Sequence, residues 1–268
     1  MKAIVHQDKK GIEGLEYKFS SETNPNAGEV KVKLKAAGLN HRDLFIINNR
    51  KEMELPLVIG SDGSGIVTEV GEGVSNNLLN SEVIINPSIG WNNIAEVPEL
   101  PEVLGGPKDG TFAEYVIVPA ENVVAKPSYL TWDEAGVLSL SALTAYRALF
   151  TKGRLKCGEH VLIPGIGGGP ATFLQYFDVL KPNGRIVNFG ASSGDKIELP
   201  LRALFYNQID IMGTSMGSRK EFNEMINFIE NYKIKPIIDK VYSLEEAIGA
   251  LSRMEQGEQF GNIALRMY

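Results

Sequence analysis

Apolar and polar positions change rhythm about halfway along the chain. Residues 30–34 (VKVKL) alternate apolar and polar, as a half-buried strand does. Residues 65–74 (GIVTEVGEGV) and 112–119 (FAEYVIVP) continue the alternation, with glycines at the turns. Residues 86–110 are rich in Asn, Pro and Gly and predict a long loop or lobe. From about residue 130 the period becomes helical. Thr131 and Glu134 form a capping box that opens a long apolar segment reaching Phe150. Residues 160–165 (HVLIPG) predict a short buried strand. A helix then starts at Pro170, whose missing N–H costs nothing in a first turn, and buries Phe173, Tyr176, Phe177 and Leu180. Strands follow at 185–190 and 208–214. Capping boxes at Ser218/Glu221 and Ser243/Glu246 open two amphipathic helices, and residues 259–266 close as a strand. A β-rich first part therefore precedes an α/β second part and a short helix–strand tail.

The turn that joins strand 160–165 to the next helix is Gly165-Ile-Gly-Gly-Gly. Glycine lets a backbone approach a pyrophosphate closely, and a helix N-terminus offers unpaired N–H groups and a partial positive charge. Gly165, Gly167, Gly168 and Gly169 are therefore candidate cofactor-binding residues. The alternative reading is a tight strand-to-helix turn without a ligand. The acidic residue that would select a ribose hydroxyl belongs about twenty positions on. Asn188 stands near that position, and no carboxylate follows the strand until Asp195.

Composition narrows the field. The chain has 268 residues and a formal charge of -6, without a basic stripe, which argues against a nucleic-acid partner. No apolar run approaches the roughly eighteen residues of a membrane span. The first ten residues carry no apolar signal core, and the single cysteine, Cys157, permits neither an internal disulfide nor a cysteine-rich zinc site. The expectation is a cytoplasmic protein.

Six local patterns then coincide in order: residues 33–43 (KLKAAGLNHRD), 60–74 (GSDGSGIVTEVGEGV), 109–116 (DGTFAEYV), 143–149 (LTAYRAL), 181–190 (KPNGRIVNFG) and 259–265 (QFGNIAL). Together they resemble the medium-chain dehydrogenase/reductases, over residues 1–268. The resemblance implies a GroES-like β-barrel catalytic domain at 1–125. A shortened Rossmann-type parallel sheet domain that binds dinucleotide follows at 126–235, and a C-terminal return to the catalytic domain at 236–268.

Two departures from the family pattern shape the functional expectation. Zinc-dependent members carry Cys where Asn40 stands, His where Ser61 stands, and a third ligand near Leu140. None of these three is a strong zinc donor. His41, Asp43 and Asp62 are the nearest carboxylate and imidazole groups, and Arg42 with Asp43 reads better as an ion pair and turn cap. The chain thus resembles the zinc-independent, quinone-oxidoreductase-like branch, and no metal is expected. Secondly, Gly169 runs straight into a helix like the one that precedes the Pro182-Asn183-Gly184 turn. About two strand–helix units, on the order of sixty residues, are missing. They include the strand that distinguishes NAD from NADP.

The resemblance implies hydride transfer from NADP(H), or NAD(H), to a small carbonyl, enone or quinone. Cofactor binding is weakened or lost through the gap. A non-catalytic folded scaffold or binding protein of the same fold is the alternative. Without zinc, an oxyanion must be held by hydrogen bonds. Asn40 resembles the family's substrate-facing amide, His41 is a candidate proton donor set against an exposed turn histidine, and Asp43 completes the catalytic candidates. Some zinc-free relatives have Tyr where Phe45 stands, so that donor is gone. Thr144, Gly190 and Ala191 are expected along the cofactor. A homodimer through the edge strand near 208–214 is expected, because an exposed apolar edge needs a cover.

Overall fold

Strand β3 (Glu29–Gly38) organises the larger of two compact units in the computed structural model, which describes residues 1–51, 54–164, 173–191, 194 and 196–268. One edge of β3 pairs along its length with β5 (Asp62–Val70), from Val30 opposite Val70 to Gly38 opposite Asp62. The other edge is shared. β9 (Tyr115–Pro119) takes residues 29–33, and β14 (Asn262–Arg266) takes residues 36–38. β6 (Glu82–Ile85) and β10 (Val123–Ala125) extend the sheet beyond β5, and β13 (Ile238–Ser243) extends it beyond β14. A second sheet joins β1 (Lys2–His6), β2 (Leu15–Phe19) and β4 (Leu57–Val58), and a two-residue pair, β7 (Ser88–Ile89) with β8 (Glu102–Val103), lies in the loop region. The β-rich architecture is as expected. The strand pairing runs as an open path with β10 and β13 at its ends among the described residues.

The alternation explains the core. Val30, Val32 and Leu34 are buried together with Val67, Val116 and Leu265. Burial of apolar surface of this kind contributes about 25 cal/mol per Å². Lys31 breaks the pattern, because its side chain is 4% exposed; Glu22 and Glu69 meet its ammonium at 2.5 and 3.0 Å. A buried charge needs such partners.

The expected long helix from Thr131 is interrupted. The capping box forms, with Thr131 Oγ1 accepting from Glu134 N–H at 3.2 Å, and opens α2 (Trp132–Gly136). α3 (Ser139–Tyr146) starts afresh two residues later. The break lies where α2 meets β3 backbone to backbone. A Cβ on Gly136 would stand 2.8 Å from the Ala36 Cβ, and one on Gly38 would stand 2.6 Å from the Val137 Cα. Contact that close fixes the direction in which the chain leaves α2.

The same unit holds α1 (His41–Asn49), and two later helices carry the faces read from the sequence. The longer, Arg219–Tyr232, buries Phe222, Met225, Ile226 and Ile229 behind the Ser218/Glu221 box. The shorter, Ala247–Glu255, buries Ala250, Leu251 and Met254. By packing, this unit comprises 1–143 and 217–268, so its limits fall inside the span assigned above to the dinucleotide domain.

The smaller unit covers 144–216. Its sheet has two parallel strands, β11 (Arg185–Asn188) and β12 (Asp210–Gly213). α4 (Tyr176–Val179) and α5 (Leu201–Tyr206) flank them, so that in chain order Arg219–Tyr232 is α6 and Ala247–Glu255 is α7. Phe173, Phe177 and Ile209 are its buried apolar cluster, with Tyr176, Leu180 and Ile186 against it. The predicted buried strand at 160–165 does not form over its described part. Residues 160–164 join no ladder, and Val161, Leu162 and Ile163 are 48%, 65% and 72% exposed. A strand needs a partner, and none pairs with 160–164 among the described residues. The remainder of that strand, and the glycine turn itself, lie outside the described residues.

Candidate functional site

The pairing of β3 with β5 brings the catalytic candidates together. β3 ends at Gly38 opposite Asp62, the first residue of β5, and Leu39 N–H is fixed to Ile263 O at 3.0 Å. Asn40 follows in extended conformation as the N-cap of α1, so His41, Arg42 and Asp43 make its first turn. Asp43 Oδ2 accepts from Asn40 N–H at 2.8 Å, the turn cap that was expected. An acid in a first helical turn also suits the positive end of the helix dipole.

Arg42 differs from expectation. It forms no ion pair with Asp43 among the described residues. Its guanidinium instead donates to Ser61 Oγ at 3.3 Å, to Leu104 O at 3.3 Å and to Gly106 O. Ser61 Oγ in turn donates to Leu104 O at 3.0 Å. The reason is the approach of the 104–110 loop to Gly60, whose φ of +96° and contact with the Phe112 ring leave no space for a side chain. That approach places acceptors in front of Arg42.

Asp62 was read only as a weak metal donor, and the structure gives it more. Its Oδ1 accepts from Leu140 N–H at 2.8 Å, and so caps the start of α3 from a strand 78 residues away. Its Oδ2 is buried without a hydrogen-bond partner, and so is Asn40 Nδ2. Asn40 is near enough to favour the ionised form of Asp62 while the two atoms fall short of hydrogen-bond geometry. Burial dominates both acids. It pushes the Asp62 carboxyl up to about 7 against the opposing help of Asn40 and Leu140. It likewise pushes Asp43 up to about 7, against the Asn40 N–H and the charge of Arg42. His41 is exposed, yet the protein around it suffices to lower its pKa by desolvation. The imidazole is therefore largely neutral at neutral pH, able to accept a proton or to donate its N–H.

Thr144, Gly190 and Ala191 lie in the smaller unit. Thr144 is 8% exposed, and its Oγ1 accepts from Met216 N–H at 3.1 Å. Gly190 follows the carboxyl end of β11, and Gly213 ends β12. A Cβ at either would meet nothing within 4 Å. Ligands of open parallel sheets bind beyond the carboxyl ends of the strands, and among the described residues nothing crowds Gly190 or Gly213 there. Gly165, Gly167, Gly168 and Gly169 lie outside the described residues.

The donor set does not suit zinc. Asn40, Ser61 and Leu140, the positions where the resemblance leads one to expect zinc ligands, offer an amide, a hydroxyl and an aliphatic side chain. Ser61 Oγ is also engaged with Arg42 and Leu104. Asp62 is engaged with Leu140. Among the described residues there is no group of three His, Cys, Asp or Glu side chains able to hold a metal ion.

Residues 26–128 match the alcohol dehydrogenase GroES-like domain family, and residues 137–265 match the zinc-binding dehydrogenase family. The chain is 30% identical to the zinc-type alcohol dehydrogenase-like protein YogA of Leptosphaeria maculans, covering 94% of each chain. It is 29% identical to an NAD-dependent alcohol dehydrogenase of Sulfolobus acidocaldarius, over 90% of this chain and 92% of the relative. The fungal alignment spans 341 residues against the 268 of this chain, so a stretch of the relative faces gaps here. Among solved structures, an NAD-dependent alcohol dehydrogenase superposes with a TM-score of 0.90 at 28% identity, covering 100% of both chains. An alcohol dehydrogenase of Sinorhizobium meliloti superposes with a TM-score of 0.89 at 25% identity, over 99% of this chain and 96% of that one.

Proposed function

This chain belongs to the alcohol-dehydrogenase-like medium-chain oxidoreductases, and we propose on that premise that it is a zinc-independent reductase of a small carbonyl, enone or quinone. The observation that carries this reading is the cluster at the junction of β3 and α1. It offers an amide, an imidazole and two buried carboxyls and, among the described residues, no group of three side chains able to hold a metal ion. A nicotinamide cofactor, when bound, supplies the hydride. Thr144, Gly190, Ala191 and the glycines at 165, 167, 168 and 169 are the residues that would hold it.

The chain's own groups have separable tasks. Asn40 carries the donor for the oxygen that gains charge, the task an oxyanion-hole amide performs elsewhere. His41, kept neutral by desolvation, moves a proton at its imidazole. Asp43 holds the turn through the Asn40 N–H. NADP(H) is the cofactor suggested by the branch the sequence resembles. The archaeal relative named as NAD-dependent argues for NAD(H).

A homodimer through the β12 edge belongs to this reading. β12 pairs only with β11 among the described residues. Light scattering coupled to size exclusion should return twice the chain mass, and a monomer at high concentration removes the dimer.

Activity is tested by following NADPH and NADH oxidation against enones, quinones and aldehydes, with and without a chelator. Turnover that survives metal removal is expected; loss of all activity with the metal, restored by zinc, contradicts the zinc-free assignment. A second reading, a folded scaffold that no longer binds dinucleotide, draws on one observation. Among the described residues, 160–164 join no ladder and are exposed, and the sheet of their unit has two strands. No oxidation of either cofactor by any substrate class would favour it.

A further inference from the structure

A buried donor and a buried acceptor without partners each lose the hydrogen bonds that water gave them and gain none in return. Asn40 Nδ2 and Asp62 Oδ2 are such a pair, close together and of complementary chemistry. A small rotation of the amide joins them. The other carboxyl oxygen of Asp62 is already engaged with Leu140 N–H. The carboxyl is thereby anchored to the start of α3, and its rotation is restricted. Asp62 is itself fixed by the β3–β5 register and by its carbonyl, which accepts from Thr111 Oγ1 at 2.7 Å.

We propose that Asp62 is a positioning residue that sets the orientation of the Asn40 amide, anchored through the α3 N-terminus in place of a metal. The idea rests on the reading of Asn40 as the substrate-facing amide. An Asn side chain has an acceptor end and a donor end of almost equal shape. A carboxylate oxygen opposite Nδ2 favours one of them, in the same sense as the Asp43 N–H that the Asn40 side chain faces in the capping box. Asp62 takes one of the two N–H groups and thereby fixes the sense in which the amide meets a ligand.

Asp62→Asn tests this sharply. The new side chain keeps an oxygen for Leu140 N–H but sets an NH2 against Asn40 Nδ2, so the Asn40 amide must reverse. Side-chain amide resonances of Asn40, assigned by their loss in Asn40→Ala, should shift in Asp62→Asn and return close to wild type in Asp62→Glu. Where turnover is measurable, kcat should fall by about tenfold to a hundredfold, the range seen for groups that orient a functional ligand. The KM for the nicotinamide cofactor should stay unchanged. Asn40 resonances that are identical in wild type and Asp62→Asn overturn the proposal. If wild-type protein shows no turnover, the reductase reading fails while the resonances still decide the role of Asp62. Should Asp62→Asn not fold, the Asn40 resonances in Asp62→Glu decide: near wild type sustains the proposal, and clear displacement from wild type contradicts it.

Discussion

Two carboxyls at the foot of α1, Asp43 and Asp62, are fully out of water, and both titrate near pH 7 rather than near 3.8. The folded state holds their protons more tightly than the unfolded chain does. Below about pH 4 both states are protonated, and the groups contribute their full stability. As pH rises from about 4 to about 7 the unfolded chain releases protons that the fold retains, so stability falls, and it levels off above. Each pKa unit is worth about 1.4 kcal/mol, so Asp62 alone carries an effect on the order of 2–4 kcal/mol. Thermal melts of Asp62→Asn should therefore lose part of the decline in Tm expected for wild type between about pH 4 and pH 7. Identical slopes would mean that Asp62 is ionised throughout. The sequence made part of this visible. Asn40, His41 and Asp43 are neighbours in the chain, and the Asp43 cap follows from its place three residues after Asn40. The bond from Asp62 to Leu140 joins residues 78 apart. No local pattern reveals it, and the same holds for the turn of Arg42 toward Ser61 and the 104–110 loop.

The elements that the sequence specified best are those whose partners lie within one turn of themselves. α6 is set by Ser218, Glu221 and the face of Phe222, Met225, Ile226 and Ile229, all read correctly from spacing. Ser218→Ala should cost about 1 kcal/mol in urea unfolding through loss of the cap. An unchanged midpoint would show that the Glu221 carboxylate suffices. The helix that begins at Thr131 was only half legible, because its interruption depends on a sheet encountered a hundred residues earlier in the chain. Gly136→Ala should destabilise by about 1–3 kcal/mol, the range for an overpacked core. The added Cβ must stand 2.8 Å from that of Ala36. A neutral outcome would mean that α2 can lift from β3. Residues 160–164 are the opposite case. Their apolar pattern is that of a buried strand, but strand formation is decided by a neighbouring strand, and 160–164 join no ladder among the described residues.

At the scale of the whole molecule, the unit 1–143 with 217–268 has an extensive core around β3, β5 and β14. The unit 144–216 has a few buried side chains and leaves Leu162, Ile163, Leu201 and Phe205 more than 60% exposed. Stability should be distributed accordingly. Hydrogen exchange should proceed fastest at 160–164 and slowest along β3 and β5, and equal protection would refute the division. The family fold could be read from six ordered patterns. The unpaired 160–164 segment could not, because an apolar run does not record whether a neighbouring strand is present. The direct test of the whole account is a calorimetric titration of chelator-treated protein with NADPH and then NADH. Saturable binding of one cofactor per chain, with a Kd on the order of micromolar to tens of micromolar, is the predicted result. No heat with either cofactor at millimolar concentration would contradict it, and would leave a folded member of the family without its chemistry.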